Sequence, residues 1–189
     1  QNLPVTYVFT HDSIAVGEDG PTHEPIEHLA SLRTIPNTYV FRPADATEAQ
    51  AAWYLSQKVN NKPTSLVLTR QNLPVLENTS FEKVSKGAYV VYETSSDFDT
   101  ILIATGSEVA LAVDVARELE KEGSKVRVVS MPSVELFEEQ SKEYKEELLP
   151  RSVRRRVSLE MGNTALWYKY VGLDGLAIGI DNFGASAPA

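Results

Sequence analysis

Val5-Thr6-Tyr7-Val8-Phe9-Thr10 runs without a break into residues 11–24, HDSIAVGEDGPTHE. The first stretch is entirely β-branched or aromatic and reads as a strand. The second is a polar loop that holds two of the chain's three histidines and a Gly-Glu-Asp-Gly core. A strand ending in a long polar loop is how a rigid scaffold presents chemical groups to a ligand. Gly17, Gly20 and Pro21 fix the path of this loop, so His11, Asp19 and His23 are held in place.

Working outward, Pro25 suits the first turn of a helix expected to run to about Thr34. Thr38 to Phe41 reads as a short strand. Asp45-Ala46-Thr47-Glu48 resembles a capping box and predicts an Ala-rich helix to about Val59. Asn60-Asn61-Lys62-Pro63 ends that helix, and Ser65 to Thr69 is a buried strand that stops at Arg70. This β-loop-α-β-α-β order is the grammar of a parallel sheet covered by helices. Residues 71–86 have no periodicity and read as a linker. A second alternating unit follows, with strands at Ala88–Tyr92, Thr100–Ala104, Val126–Ser130, Val157–Leu159 and Leu176–Ile180. Thr105-Gly106-Ser107-Glu108 turns the chain into a helix that Gly123 closes, with Val109, Val113, Ala116 and Leu119 on one face. One acidic helix is expected from Val134 to Leu149, and a short one around Trp167. The fold class is α/β: two units with mainly parallel sheets, the first incomplete, divided as residues 1–80 and 81–189.

Composition sets outer bounds. With 189 residues and 42% hydrophobic content, the chain can bury one large or two small cores. Its 26 acidic and 18 basic side chains give a formal charge of −8, which argues against nucleic acid as a partner. The Arg151, Arg154, Arg155 and Arg156 cluster reads as the solvated start of a strand rather than a binding patch. There is no cysteine, so disulfides, thiolate metal sites and Cys nucleophiles are excluded. No apolar stretch nears the roughly 20 residues that span a bilayer, and no signal peptide is visible. A soluble cytoplasmic protein with no membrane partner is expected. The chain opens on Gln1 and stops at a turn-like GASAPA, as a fragment of a longer protein would.

In a parallel sheet, ligands collect beyond the carboxyl ends of the strands. His11 follows the strand ending at Thr10, and Arg70 follows the strand ending at Thr69. If the two strands are parallel in one sheet, imidazole and guanidinium leave the same edge and form an anion site, since Arg offers a rigid fork to phosphate oxygens. Asp19 and His23 lie farther along the loop, where they could contact hydroxyls or relay a proton. A plainer reading stays open, in which these groups only satisfy backbone carbonyls. His11, Asp19 and His23 match no compact zinc spacing, so no metal site is assigned. Ser13 lacks the Gly-x-Ser-x-Gly setting of a nucleophile elbow. Thr105-Gly106-Ser107 reads as a tight turn with a Ser cap in preference to a phosphate cradle.

The runs FTHDSIAVGEDGPTHEPIEHLASLRTIPN, FRPADATEA and LTRQNLP closely resemble transketolase, as do ILIATGSEV, Met131-Pro132-Ser133 and IGIDNFGASAP farther on. The resemblance covers essentially the whole chain. Glu24 stands where many relatives carry Gln, and Thr69 where many carry Ser. It implies the end of a thiamine-diphosphate-type, pyrimidine-binding domain followed by a transketolase C-terminal domain. The implied activity is reversible transfer of a two-carbon ketol unit from a ketose phosphate to an aldose phosphate, in the pentose phosphate pathway. Thiamine diphosphate and a divalent metal (Mg or Ca) are implied, with a homodimer as the working form.

By the same resemblance, His11 and Arg70 are ligands for the sugar phosphate, and Asp19 contacts the acceptor's C2 hydroxyl. His23 is the catalytic histidine beside the cofactor's aminopyrimidine and the substrate's C1 hydroxyl. The anchors for the diphosphate and metal match no segment of this chain, so cofactor-binding and metal residues are not assigned and the fragment alone is expected to be inactive. Two alternatives remain. One is a dihydroxyacetone synthase-type transketolase. The other is a non-catalytic dimerisation or regulatory module, since residues 87–189 contain no histidine and no acid–base cluster.

Overall fold

The computed structural model describes residues 2–186. In chain order the first unit comprises β1 (Thr6–Thr10), α1 (His28–Thr34), β2 (Tyr39–Phe41), α2 (Ala46–Lys58) and β3 (Thr64–Leu68). The second comprises β4 (Tyr89–Glu93), β5 (Thr100–Ala104), α3 (Glu108–Lys121), β6 (Val126–Ser130), α4 (Val134–Glu138), α5 (Lys142–Leu148), β7 (Arg155–Leu159), α6 (Tyr168–Val171) and β8 (Leu176–Ile178). The first sheet has three parallel strands in the order β1-β3-β2; the second has five in the order β4-β6-β5-β7-β8, with only β4 antiparallel. Helices cover the second sheet and the β2–β3 part of the first, as the alternating pattern predicts, while β1 stays exposed.

Side-chain alternation along the strands assigns the two faces of each sheet. In the first, Val40 and Val67 pack under Leu29 of α1. Phe41 and Leu66 face Ala51 and Ala52 of α2. In the second, Leu102, Ala104 and Val128 meet α3, whereas Ile101, Ile103 and Val129 join Phe137, Leu148, Trp167 and Tyr170. The α2 side of the first sheet and the α3 side of the second belong to one continuous core, through Val84, Tyr89 and Val91.

Four local expectations need correction. α1 begins at His28, not Pro25, and the carbonyl of Ile26 instead accepts from the Asn163 amide at 3.0 Å. The stretch read as a linker is tied down: Asp45 Oδ2 accepts from the Leu76 amide at 2.9 Å and from Thr79 Oγ1 at 2.6 Å, and Lys83–Lys86 form a 3-10 turn. The single helix expected over Val134–Leu149 is two. Ser141 accepts from the Tyr144 amide and caps a new start, without Gly or Pro at the break. Ser107 does not cap α3. The Asp45 cap does form, accepting from the Glu48 amide at 3.0 Å.

Candidate functional site

β1 and β3 run parallel in register, with Thr10 opposite Leu68, so His11 and Arg70 leave the sheet at the same edge, as required for a shared site. Beyond that edge lies a cavity of about 370 Å³, a size suited to a small molecule. His11 and His23 both line it, with ring centroids 6.4 Å apart in an edge-on arrangement. Each ring has its Nδ1 2.9 Å from the hydroxyl of the threonine before it, Thr10 and Thr22, which leaves Nε2 for a ligand. Phe9, Leu29, Leu32 and Val67 form an apolar wall. Asp19 and Arg70 do not line the cavity. Both are exposed, and Arg70 makes no ion pair among the described residues.

Two lining residues escape a reading of the sequence. His28 faces the cavity from the start of α1, five positions after His23 and on a different element. Phe183 comes from the far end of the chain. The tip of the loop packs against that same tail. Gly20 has φ +74°, and a Cβ there would lie within 2.3 Å of Ser186 Oγ, so only glycine suits both the turn and the contact.

What fixes His11 lies behind it. His11 has φ +64°, a left-handed conformation uncommon for a residue with a side chain. The next residue, Asp12, is buried and accepts from Arg42 Nε at 2.7 Å. Arg42 is fully buried; its Nη1 donates to the Thr105 carbonyl at 2.8 Å, contacts Glu108, and lies 3.8 Å from Glu160. Glu160 in turn holds Arg33 in a two-pronged pair at 2.8 and 2.9 Å and accepts from Trp167 Nε1 at 2.8 Å. Asp12, Arg33 and Arg42 belong to the first unit; Glu108, Glu160 and Trp167 belong to the second.

This network explains the tight turn at Thr105-Gly106-Ser107. A Cβ on Gly106 would fall 2.6 Å from Arg42 Cζ, so the glycine admits a guanidinium. The turn directs a carbonyl at a cation and is not an anion cradle.

The electrostatics follow from burial and pairing. Desolvation alone would lower the Arg42 pKa, but Glu108, Asp12 and Glu160 outweigh it and hold it above its ordinary value. Desolvation likewise opposes ionisation of Glu160, and Arg33 and Arg42 overcome it to hold this carboxyl below the usual range. The cavity itself has another character. No Lys or Arg lines it, and among the described residues no cluster of three or more His, Asp or Glu could hold a metal. Its residues do not fit the diphosphate–metal end of a thiamine cofactor. They suit the uncharged or sugar-facing side of a ligand.

Comparison with known proteins agrees with the fold. Residues 1–75 match a family model described as the transketolase pyrimidine-binding domain, and residues 87–189 match a transketolase-like C-terminal domain. A probable transketolase of Streptococcus pneumoniae is 70% identical over 189 residues, which is 100% of this chain and 29% of that protein. Among solved structures, transketolase from Leishmania mexicana superposes with a TM-score of 0.93 at 46% identity, over 99% of this chain and 27% of its own. A transketolase from Pichia stipitis in complex with sedoheptulose-7-phosphate gives 0.92 at 48%, over 98% and 27%. The chain therefore spans less than a third of the length of these proteins. It belongs to the transketolase family.

Proposed function

We propose that this chain supplies the substrate-facing wall of a transketolase, which moves a two-carbon ketol unit from a ketose phosphate to an aldose phosphate. The observation that carries the proposal is the pairing of His11 and His23 across one cavity at the carboxyl edge of the β1–β3 sheet. The sugar-phosphate complex of the Pichia stipitis relative supports it. In this reading residues 1–80 and 81–189 are the end of the pyrimidine-binding domain and the C-terminal domain. The complete enzyme is a cytoplasmic homodimer of the pentose phosphate pathway that requires thiamine diphosphate and a divalent metal.

Thiamine diphosphate, when bound, supplies the carbanion chemistry of the transfer. The residues of this chain bind and orient. Arg70 is exposed, makes no ion pair among the described residues and leaves the same sheet edge as His11, and its fork with the His11 imidazole clamps the sugar phosphate. Asp19, on the exposed loop tip, takes the acceptor's C2 hydroxyl. His23 holds the C1 hydroxyl through Nε2 and exchanges a proton with it. The apolar wall of Phe9, Leu29, Leu32 and Val67 excludes water from the reacting end.

Steady-state kinetics on a full-length enzyme carrying this segment test the clamp. Arg70→Ala is expected to raise KM for phosphorylated sugars by about ten- to a hundredfold, as loss of a charge-assisted contact should, and to leave unphosphorylated analogues little changed. Equal losses for both substrates would remove the phosphate role. The 189-residue chain alone is expected to show no turnover.

A further inference from the structure

The second unit carries a charged cleft remote from the β1–β3 edge. Two adjoining cavities, of about 430 and 210 Å³, share Arg151, Arg156, Lys169 and Tyr170 in their walls. Six cations line the pair: Lys142, Lys145, Arg151, Arg154, Arg156 and Lys169. Only three carboxylates oppose them, Glu138, Glu146 and Asp174. A local excess of positive charge therefore stands in a chain whose formal charge is −8.

The cations are not equivalent. Lys145 and Lys169 share Glu138, which also accepts from the Tyr170 hydroxyl at 2.6 Å, and Arg154 pairs with Asp174. Arg156 is different. Its Nε donates to the Val153 carbonyl at 2.9 Å, and its Nη groups donate to the carbonyls of Tyr170, Leu149 and Pro150 at 2.8, 3.0 and 2.8 Å. Every one of these bonds is to a neutral acceptor, and no carboxylate pairs with it among the described residues. Desolvation pulls the Arg156 pKa below its ordinary value, and Glu146 only partly opposes this. The result is a rigid positive charge at the floor of the cleft, lacking a counter-ion. On the rim, Lys142 has no ion-pair partner among the described residues, and Arg151 has an almost fully exposed side chain, with its amide donating to Glu146 at 2.8 Å and its Nε 3.4 Å from the same carboxylate.

We propose that this cleft, bounded by α5, α6 and the start of β7, binds a small polyphosphate anion. Arg156 supplies the fixed field, and Lys142 and Arg151 close on the phosphate oxygens from the rim. Three features favour this ligand class. The excess of cations over carboxylates calls for a multiply charged anion. Guanidinium and ammonium donors suit phosphate geometry. The volume fits a molecule of nucleotide size rather than a chain segment. Free polyphosphate and a nucleotide share this chemistry.

Sodium tripolyphosphate, titrated into the 189-residue chain in about 0.1 M salt with chemical-shift mapping, tests the site directly. Saturable shifts are expected at residues 138–156 and 168–174. Lys142→Glu combined with Arg151→Glu should weaken binding at least about tenfold, the loss expected for charge-assisted contacts. Both side chains are exposed, so the fold should survive, and an unchanged thermal midpoint checks this. Arg70→Ala should leave the midpoint read at residues 138–156 and 168–174 unchanged whatever it does near His11, which separates this cleft from the sugar-phosphate clamp. ATP run in parallel identifies the source: equal affinity means that the phosphates alone are read, and tighter binding means a nucleotide. Either outcome upholds the site. Absence of saturation, shifts confined to His11–Arg70, or undiminished binding by the double variant would each overturn it.

Discussion

Glu48 is fully buried where the two units meet. Its carboxylate accepts from Ser130 Oγ at 2.6 Å, from the Tyr89 hydroxyl at 2.7 Å and from the Ala44 amide at 2.7 Å. The sequence marks it as the second half of a capping box, and that is half correct, since the backbone amide it satisfies is that of Ala44. The rest of its role was invisible, because Ser130 lies 82 residues away. Desolvation raises its pKa above 4.5, and the three donors only partly offset this. A carboxyl with a raised folded pKa binds more protons in the native state than in the unfolded state. Its contribution to stability is therefore lost as pH rises through the interval above about 4.5. Glu48→Gln, which keeps the size and cannot ionise, should gain on the wild type as pH rises from 4.5 to 7. Urea unfolding at the two pH values measures the change, and a pH-independent difference would mean that Glu48 titrates normally. Glu160 should behave with the opposite sign. Its lowered pKa makes the cost of Glu160→Gln greatest at neutral pH and smaller as pH falls below the usual carboxylate range.

The loop after β1 shows which element properties a sequence can reveal. Its strand, its turn residues and the shared edge with β3 are local or periodic, and they were legible. The approach of His11 to His23 follows from a loop folded on itself. The brace behind it was not legible, because Asp12 and Arg42 are 30 positions apart and Arg42 and Glu108 are 66 apart. No periodicity links them. The broken helix over Val134–Leu149 has a different cause, a local one: Ser141 competes for the backbone three residues on, as any solvated serine could. Since the brace is buried, removing one member leaves a buried charged group short of an acceptor; without Asp12, Arg42 Nε loses its partner while Glu108 and Glu160 remain. Asp12→Ala should destabilise the chain by about 1–3 kcal/mol, whereas replacing an exposed pair such as Lys121–Glu118 should cost under about 1 kcal/mol. Denaturant midpoints for the two variants compare these directly, and similar small losses would show that Arg42 is held without Asp12. β1 itself is the weak element, an edge strand that leaves Tyr7, Val8 and Phe9 exposed. Pairing of that edge with another strand is the expected route of self-association.

Two α/β units in sequence suggest two domains that unfold separately, and the packing argues otherwise. Tyr39, Phe41, Ala51, Ala52 and Leu66 of the first unit share one core with Tyr89, Leu102, Val109 and Val128 of the second. The buried charges also cross the boundary, with Arg33 on Glu160 and Arg42 on Glu108. Opening that boundary would expose apolar area and strip the carboxylates Glu108 and Glu160 of their guanidinium partners, so neither unit gains by letting the other go. The three-stranded sheet has little else to hold it, because both faces of β1 are exposed and only α1 and α2 cover the remainder. The two units should therefore unfold in one cooperative step. Native-state hydrogen exchange can decide this, because the slowest amides of a cooperative unit share one opening free energy. Val40 and Leu66 in the first sheet should match Ile103 and Val129 in the second to within about 1 kcal/mol. Protection in the first sheet lower by several times that margin would mean that it opens alone, and the loop bearing His11 and His23 would then be held only while that sheet stayed closed.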